Sequence, residues 1–173
     1  FLLDDFIDSK LKNAWIVASM LILYGILFIV IERVKKRSSK KPKITETSNI
    51  SYVDALKIGG FQILSLVPGT SRSGSTIIGG LLSGASREVA AEFSFFMGIP
   101  LMFGASFLKI VKYGFNYSTL EIFYLSLAMI LTFIISIFVI KTLMEYLKKH
   151  NFEVFGWYRI ALGVIVLAFF LLK

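Results

Sequence analysis

Nineteen consecutive residues, Ile122 to Ile140, carry no charge. A helix rises about 1.5 Å per residue, so a run of this length crosses the roughly 30 Å hydrocarbon layer of a bilayer. Three more runs share the character: Trp15 to Ile31, Phe93 to Leu108, and Trp157 to Leu172, the last broken only by Arg159. Hydrocarbon offers no hydrogen bonds to a backbone, so such runs must cross it as helices that satisfy their own N–H and C=O groups. The composition agrees: 56% of the residues are hydrophobic and 17% charged, against roughly 45–50% and about 25% in soluble domains. The sequence therefore predicts an all-α integral membrane protein with four transmembrane helices.

The predicted spans cover residues 14–32, 87–112, 119–148 and 156–172. Residues 33–50 read as a basic cytoplasmic loop, with Arg33, Lys35, Lys36, Arg37, Lys40, Lys41 and Lys43 among Ser, Thr and Pro. A contact surface for anionic lipid is a second reading of the same cations. Residues 52–84 hold two short apolar segments, Tyr52 to Val67 and Thr76 to Leu82, each too short to cross. They meet at a Gly-, Ser- and Arg-containing turn, which predicts one re-entrant helical hairpin. Pro100 should kink the helix that follows. Trp15, Tyr113, Tyr117, Trp157 and Tyr158 stand at span ends as interfacial anchors, and Gly79, Gly80 and Gly84 permit close packing around the hairpin.

Charge orients this arrangement. With the polybasic stretch inside and the hairpin returning to the side it enters from, 13 of the 19 basic residues lie inside. Lys10, Lys12, Lys109, Lys112 and Lys173 lie outside, and Arg72 sits at the hairpin tip. The net charge of +8 is thus topological; no folded polar surface remains to display a groove for nucleic acid. The absence of cysteine excludes disulfides, thiolate metal sites and cysteine nucleophiles within the chain. One histidine, His150, cannot supply a two-histidine zinc site, and its place on a wet helix end reads as surface. The opening Phe1-Leu2-Leu3-Asp4-Asp5 has no basic start before an apolar core, so it is not a signal peptide and reads as the interior of a longer chain.

Arg72 needs a physical explanation, because a guanidinium at membrane depth costs several kcal/mol unless hydrated or paired. Around it stand Thr70, Ser71, Ser73, Ser75 and Thr76, with Gly69 and Gly74 allowing tight turns that expose N–H groups. A helix starting near Ser75 would aim its N-terminal N–H groups at the same place. All of these features favour an anion, and the planar fork of Arg suits phosphate oxygens. The plainer reading is a hydroxyl-rich helix break that satisfies its own backbone, with Arg72 paired to a carboxylate. The nearest in sequence are Asp54 and Glu88. Ser71 is either a nucleophile or a phosphate-positioning hydroxyl, and no adjacent base is visible. Thr76 is a phosphate ligand or an N-terminal helix hydroxyl. Glu88 and Glu92 suit a first-turn dipole role. Arg159 reads as a snorkelling side chain, with pairing as the alternative.

The stretch Pro68-Gly69-Thr70-Ser71-Arg72-Ser73-Gly74-Ser75-Thr76 resembles the signature loop of the undecaprenyl-pyrophosphate phosphatase (bacitracin-resistance) family. Arg87 to Pro100 and Trp157 to Gly163 are similar to that family too, so the resemblance covers nearly the whole chain. It implies an inverted-repeat fold with paired hairpins, in the bacterial plasma (inner) membrane. It implies hydrolysis of undecaprenyl diphosphate to the monophosphate, which recycles the cell-wall lipid carrier, with Mg²⁺ or Ca²⁺. By motif position it gives Ser71, Arg72 and Thr76 catalytic roles and places Gly69, Thr70, Ser73, Gly74 and Ser75 on the substrate. The family's N-terminal glutamate motif is missing here, so the chain resembles the C-terminal two thirds of a member. It is then catalytically incomplete by itself, with the metal ligands outside it. The partners so implied are the membrane and a polyprenyl diphosphate, with a homodimer left open. A lipid transporter or flippase that uses the same loop is the rival from another class, since broken helices aimed at an anion are transporter architecture as well.

Overall fold

The computed structural model describes residues 13–38, 41–114 and 117–172, excluding the side chain of Tyr113. Lys10, Lys12, Lys40, Lys173 and the chain opening lie outside them. The architecture is helical: α1 (Ala14–Arg37), α2 (Tyr52–Ile63), α3 (Arg72–Leu82), α4 (Arg87–Tyr113), α5 (Thr119–Lys149) and α6 (Glu153–Leu171). The described residues contain no strand, only one isolated parallel bridge between Ile44 and Ala85. α1, α4, α5 and α6 are long and apolar enough to cross a membrane.

The chain divides into two compact units. The first comprises α1, α2, α3, the start of α4 through Ser94, and α6 from Asn151 onward. Its spine is an antiparallel pair, α1 against α6, in which a side chain added at Gly25 would meet the Gly156 carbonyl at 2.6 Å. Seven residues further along α6, one added at Gly163 would meet the Ala18 carbonyl at 2.9 Å. Small residues two turns apart on each helix let the backbones touch, which is how helices pack where no hydrophobic effect drives them together. α2 and α3 form a helical hairpin on the same spine. Gly79 seats the Phe61 ring of α2, and Gly80 seats Ala90 of α4.

The base of the hairpin is pinned by charge. Glu32 of α1 is 1% exposed. It accepts from Arg87 Nε at 2.9 Å and Nη2 at 2.7 Å, and from the backbone N–H of Phe152 at 3.2 Å. Lys35 donates to the carbonyls of Leu81 at 3.3 Å and Ala85 at 2.8 Å. Beside it the N–H groups of Lys43 and Ile44 both donate to Gly84 O.

The second unit holds the rest of α4, from Phe95, and α5 through His150. Their central stretches, Phe95 to Leu108 and Ile122 to Ile140, carry no charged residue. Leu125, Phe133 and Phe138 of α5 are exposed, as suits a lipid-bathed helix. Gly114 ends α4 with φ +74°, and Ser118 and Glu121 form a capping box that starts α5. His150 caps the end of α5 and stacks on Tyr146 with ring centroids 4.3 Å apart.

Three boundaries differ from the sequence reading. α1 continues past Glu32 to Arg37, because cations in a last turn complement the helix dipole and need not end it. α6 begins at Glu153, not 156, its entry fixed by the Phe152–Glu32 bond. α3 begins at Arg72, not near Ser75, because the cap is Ser71. Arg87→Ala would leave the Glu32 carboxylate buried without its ionic partner, a loss of roughly 3–5 kcal/mol. Thermal unfolding in detergent should show a correspondingly large fall in midpoint.

Candidate anion-binding site

The hairpin tip, Val67 to Ser71, must satisfy the backbone groups of two broken helix ends. α2 tightens into a 3₁₀ turn at Leu64–Leu66. The Thr70 hydroxyl then reaches the carbonyls of Val67 at 2.6 Å and Leu64 at 2.9 Å. Gly69 turns the chain with φ +90°, a conformation that favours glycine. It also lies so close to α1 that a Cβ would fall 2.5 Å from the Val17 carbonyl oxygen. On the other arm the Ser71 hydroxyl accepts from Gly74 N–H at 3.0 Å and lies 3.2 Å from Ser73 Oγ.

Those bonds leave the backbone N–H groups of Arg72 and Ser73, at the N-terminus of α3, with no acceptor among the described residues. The Arg72 guanidinium makes one long hydrogen bond, from Nη1 to the Ser94 carbonyl at 3.4 Å. Among the described residues it has no carboxylate partner; the only ion pairs there are Lys57–Asp54 and Arg87–Glu32. Glu92, nearby in sequence, instead accepts from the Thr47 hydroxyl.

A second guanidinium converges on the tip. Arg159 of α6 donates from Nη2 to Gly69 O at 3.2 Å and lies over the Tyr24 ring, 5.8 Å from its centroid. Its Nη1 would stand 3.4 Å from a Cβ at Gly74. Its Nε is buried with no partner, an arrangement that native structures rarely leave unexplained. Arg159 is thus turned into the protein, where the sequence suggested snorkelling. An arginine inside an apolar span with no acid nearby was the available signal.

The loop residues divide. Gly69, Thr70, Ser71, Arg72 and Ser73 are half-buried, whereas Gly74, Ser75 and Thr76 are buried. Ser75 is fully enclosed and donates to the Tyr24 hydroxyl at 2.9 Å. Thr76 is fully enclosed too, its hydroxyl 2.6 Å from that of Ser94. Sequence reasoning gave Tyr24 no role and noted Ser94 only within a longer motif.

Four helices long and apolar enough to cross a membrane define an integral membrane protein, and at its α2–α3 turn stand two guanidiniums and N–H groups with no acceptor among the described residues. The chain belongs to the family of the bacitracin resistance protein BacA, whose profile matches residues 1–165. A relative from Lachnoclostridium phytofermentans, named undecaprenyl-diphosphatase, is 57% identical over 169 residues, covering 95% of this chain and 61% of its own length. One of the same name from Enterococcus faecalis is 55% identical over 167 residues, covering 96% and 59%. Undecaprenyl-diphosphatase 1 from Clostridioides difficile is 53% identical over 171 residues, covering 99% and 61%. The chain therefore spans about three fifths of the length of the curated relatives it matches.

Gly69→Ala should destabilise the fold by at least about 1–2 kcal/mol from left-handed strain alone, before the clash with Val17 is counted. Gly60, whose Cβ would meet nothing within 4 Å, supplies the control. Gly60→Ala should leave the thermal midpoint in detergent unchanged or raised, and Gly69→Ala should lower it.

Proposed function

We propose that this chain is the larger part of a phosphatase in the bacterial plasma membrane that converts undecaprenyl diphosphate to undecaprenyl monophosphate and inorganic phosphate. The reading is carried by two guanidiniums with contacts at the loop that opens α3 and at Ser94 beside it, Arg159 and Arg72, neither paired with a carboxylate among the described residues. The names of the relatives agree with it.

In this reading the α3 N-terminal N–H groups and the two guanidiniums hold the diphosphate. Arg72 meets the charge that develops on the phosphoryl oxygens as the bond to the bridging oxygen breaks, a contribution of preorganised electrostatics. Ser71 positions and does not attack. Its oxygen already caps Gly74, and its bonding neighbour is another hydroxyl, Ser73, not a base. Ser75 and Thr76 support the loop from within.

Among the described residues no acid faces these donors, and two guanidiniums would repel a divalent cation. Among the described residues no group of three or more His, Cys, Asp or Glu comes together. Mg²⁺ or Ca²⁺, with the attacking group and its base, is assigned to the part of the protein outside the matched span, and no step here runs through a metal.

The hairpin also bears on the side from which the lipid head would enter. Its tip touches α1 at Val17 and its base touches α1 at Lys35. The 18 helical steps between them measure about 27 Å at ~1.5 Å per residue. A hairpin rooted on the basic, cytoplasmic side thereby carries its tip to the opposite face, where the lipid head would enter.

The test is phosphate release from undecaprenyl diphosphate by the full-length protein with Mg²⁺ or Ca²⁺. Wild type should release phosphate, and Arg72→Ala should lose at least ~100-fold in kcat, as expected for one preorganised charge-stabilising group. Lipid binding that depends on Arg72, without release, would establish the transporter reading instead.

A further inference from the structure

Ser94 stands on α4, outside the signature loop, and is fully enclosed. Its hydroxyl lies 2.6 Å from that of Thr76 and 3.5 Å from the Ser73 carbonyl. The Thr76 hydroxyl in turn lies 3.1 Å from the Ser73 carbonyl and 3.2 Å from that of Arg72. The proton count decides what this pair can do. Two hydroxyls bring two protons, and one of them occupies the short oxygen–oxygen contact. Whichever residue supplies it, the other proton goes to a carbonyl of Arg72 or Ser73. Both protons are therefore spent inside the protein, and neither oxygen reaches solvent. The pair cannot donate to a phosphate; it grips the peptide on which Arg72 is carried.

The same residue holds the other end of Arg72, because the Ser94 carbonyl accepts from the guanidinium Nη1. α4 thus fixes Arg72 at its backbone, through two hydroxyls, and at its head, through one carbonyl. That head contact is single and long, so the remaining guanidinium N–H groups stay available to a ligand.

We propose that Ser94 is a positioning residue for Arg72, acting through the Thr76 hydroxyl, which itself never touches the substrate. This rests on the phosphatase reading above. Ser94→Ala removes the link between α3 and α4 but leaves the carbonyl contact intact and the Thr76 proton with two carbonyl acceptors. The fold should survive, while the first turn of α3 gains freedom. Displacement of a charge-stabilising group by about 1 Å can cost ~100-fold, and loss of one of two restraints should cost part of that.

The experiment is a double-mutant cycle in the full-length protein, with phosphate release from undecaprenyl diphosphate as the readout. Ser94→Ala and Thr76→Val should each lower kcat by roughly 10- to 100-fold, change KM less than threefold, and leave the thermal midpoint near wild type. The double variant should be no slower than the slower single one, because both remove the same link. Full kcat in Ser94→Ala, or losses that multiply in the double variant, would overturn the proposal. If wild type binds the lipid and releases no phosphate, the phosphatase reading falls by itself. The same four proteins are then compared by lipid affinity, where non-additive losses keep the positioning role and independent losses remove it.

Discussion

A helix broken at a turn leaves backbone groups without helical partners, and what the hairpin tip offers follows from how those groups are satisfied. Thr70 adds its hydroxyl to carbonyls at the α2 end that already accept backbone N–H groups, Ser71 takes one loose N–H of the α3 start, and Arg159 takes the Gly69 carbonyl. Left without acceptors among the described residues are the N–H groups of Arg72 and Ser73 and most of two guanidiniums. Such donors, with no acid paired to them among the described residues, favour an anion.

Precision at the tip is set at a distance. The Gly25–Gly156 and Ala18–Gly163 contacts bring α6 close enough to α1 for Arg159 to reach over Tyr24 to Gly69. The Glu32–Arg87 pair and the Lys35 bonds clamp the hairpin base to α1, with Phe152 fixing where α6 begins. The tip itself has few apolar contacts of its own. Its geometry is inherited from a glycine seam and one buried carboxylate, each in the helices that carry it.

The helices were legible because lipid enforces long uncharged runs, and Ile122 to Ile140 has no other economical use. The candidate site was picked out in the sequence as well, by Arg72 among hydroxyls and glycines between two short apolar segments. The division of labour inside the loop was not. Ser75 and Thr76 carry the same functional group as Ser71 and Ser73, and only burial separates supports from surface groups. The start of α3 was obscured for the same reason, because Ser71, Ser73 and Ser75 are equally good caps in sequence and the tertiary fold chooses the first. Arg159 and Tyr24 lie 87 and 48 residues from Arg72 in the chain, and nothing local joins them to it. Side-chain direction brings them together: an arginine near a span end has two ways to point, and here the protein interior offered the Gly69 carbonyl and an aromatic face.

The central claim is that Arg72 and Arg159 together hold a diphosphate. The most direct measurement is binding of a non-hydrolysable methylene-bridged polyprenyl bisphosphonate to the full-length protein in detergent, by calorimetry, for wild type, Arg72→Ala, Arg159→Ala and the double variant. Each single change should weaken binding by at least ~10-fold, the equivalent of one charge-assisted hydrogen bond, and the double variant more than either. Wild-type affinity in Arg159→Ala, with the loss confined to Arg72→Ala, would contradict a cradle built from two guanidiniums.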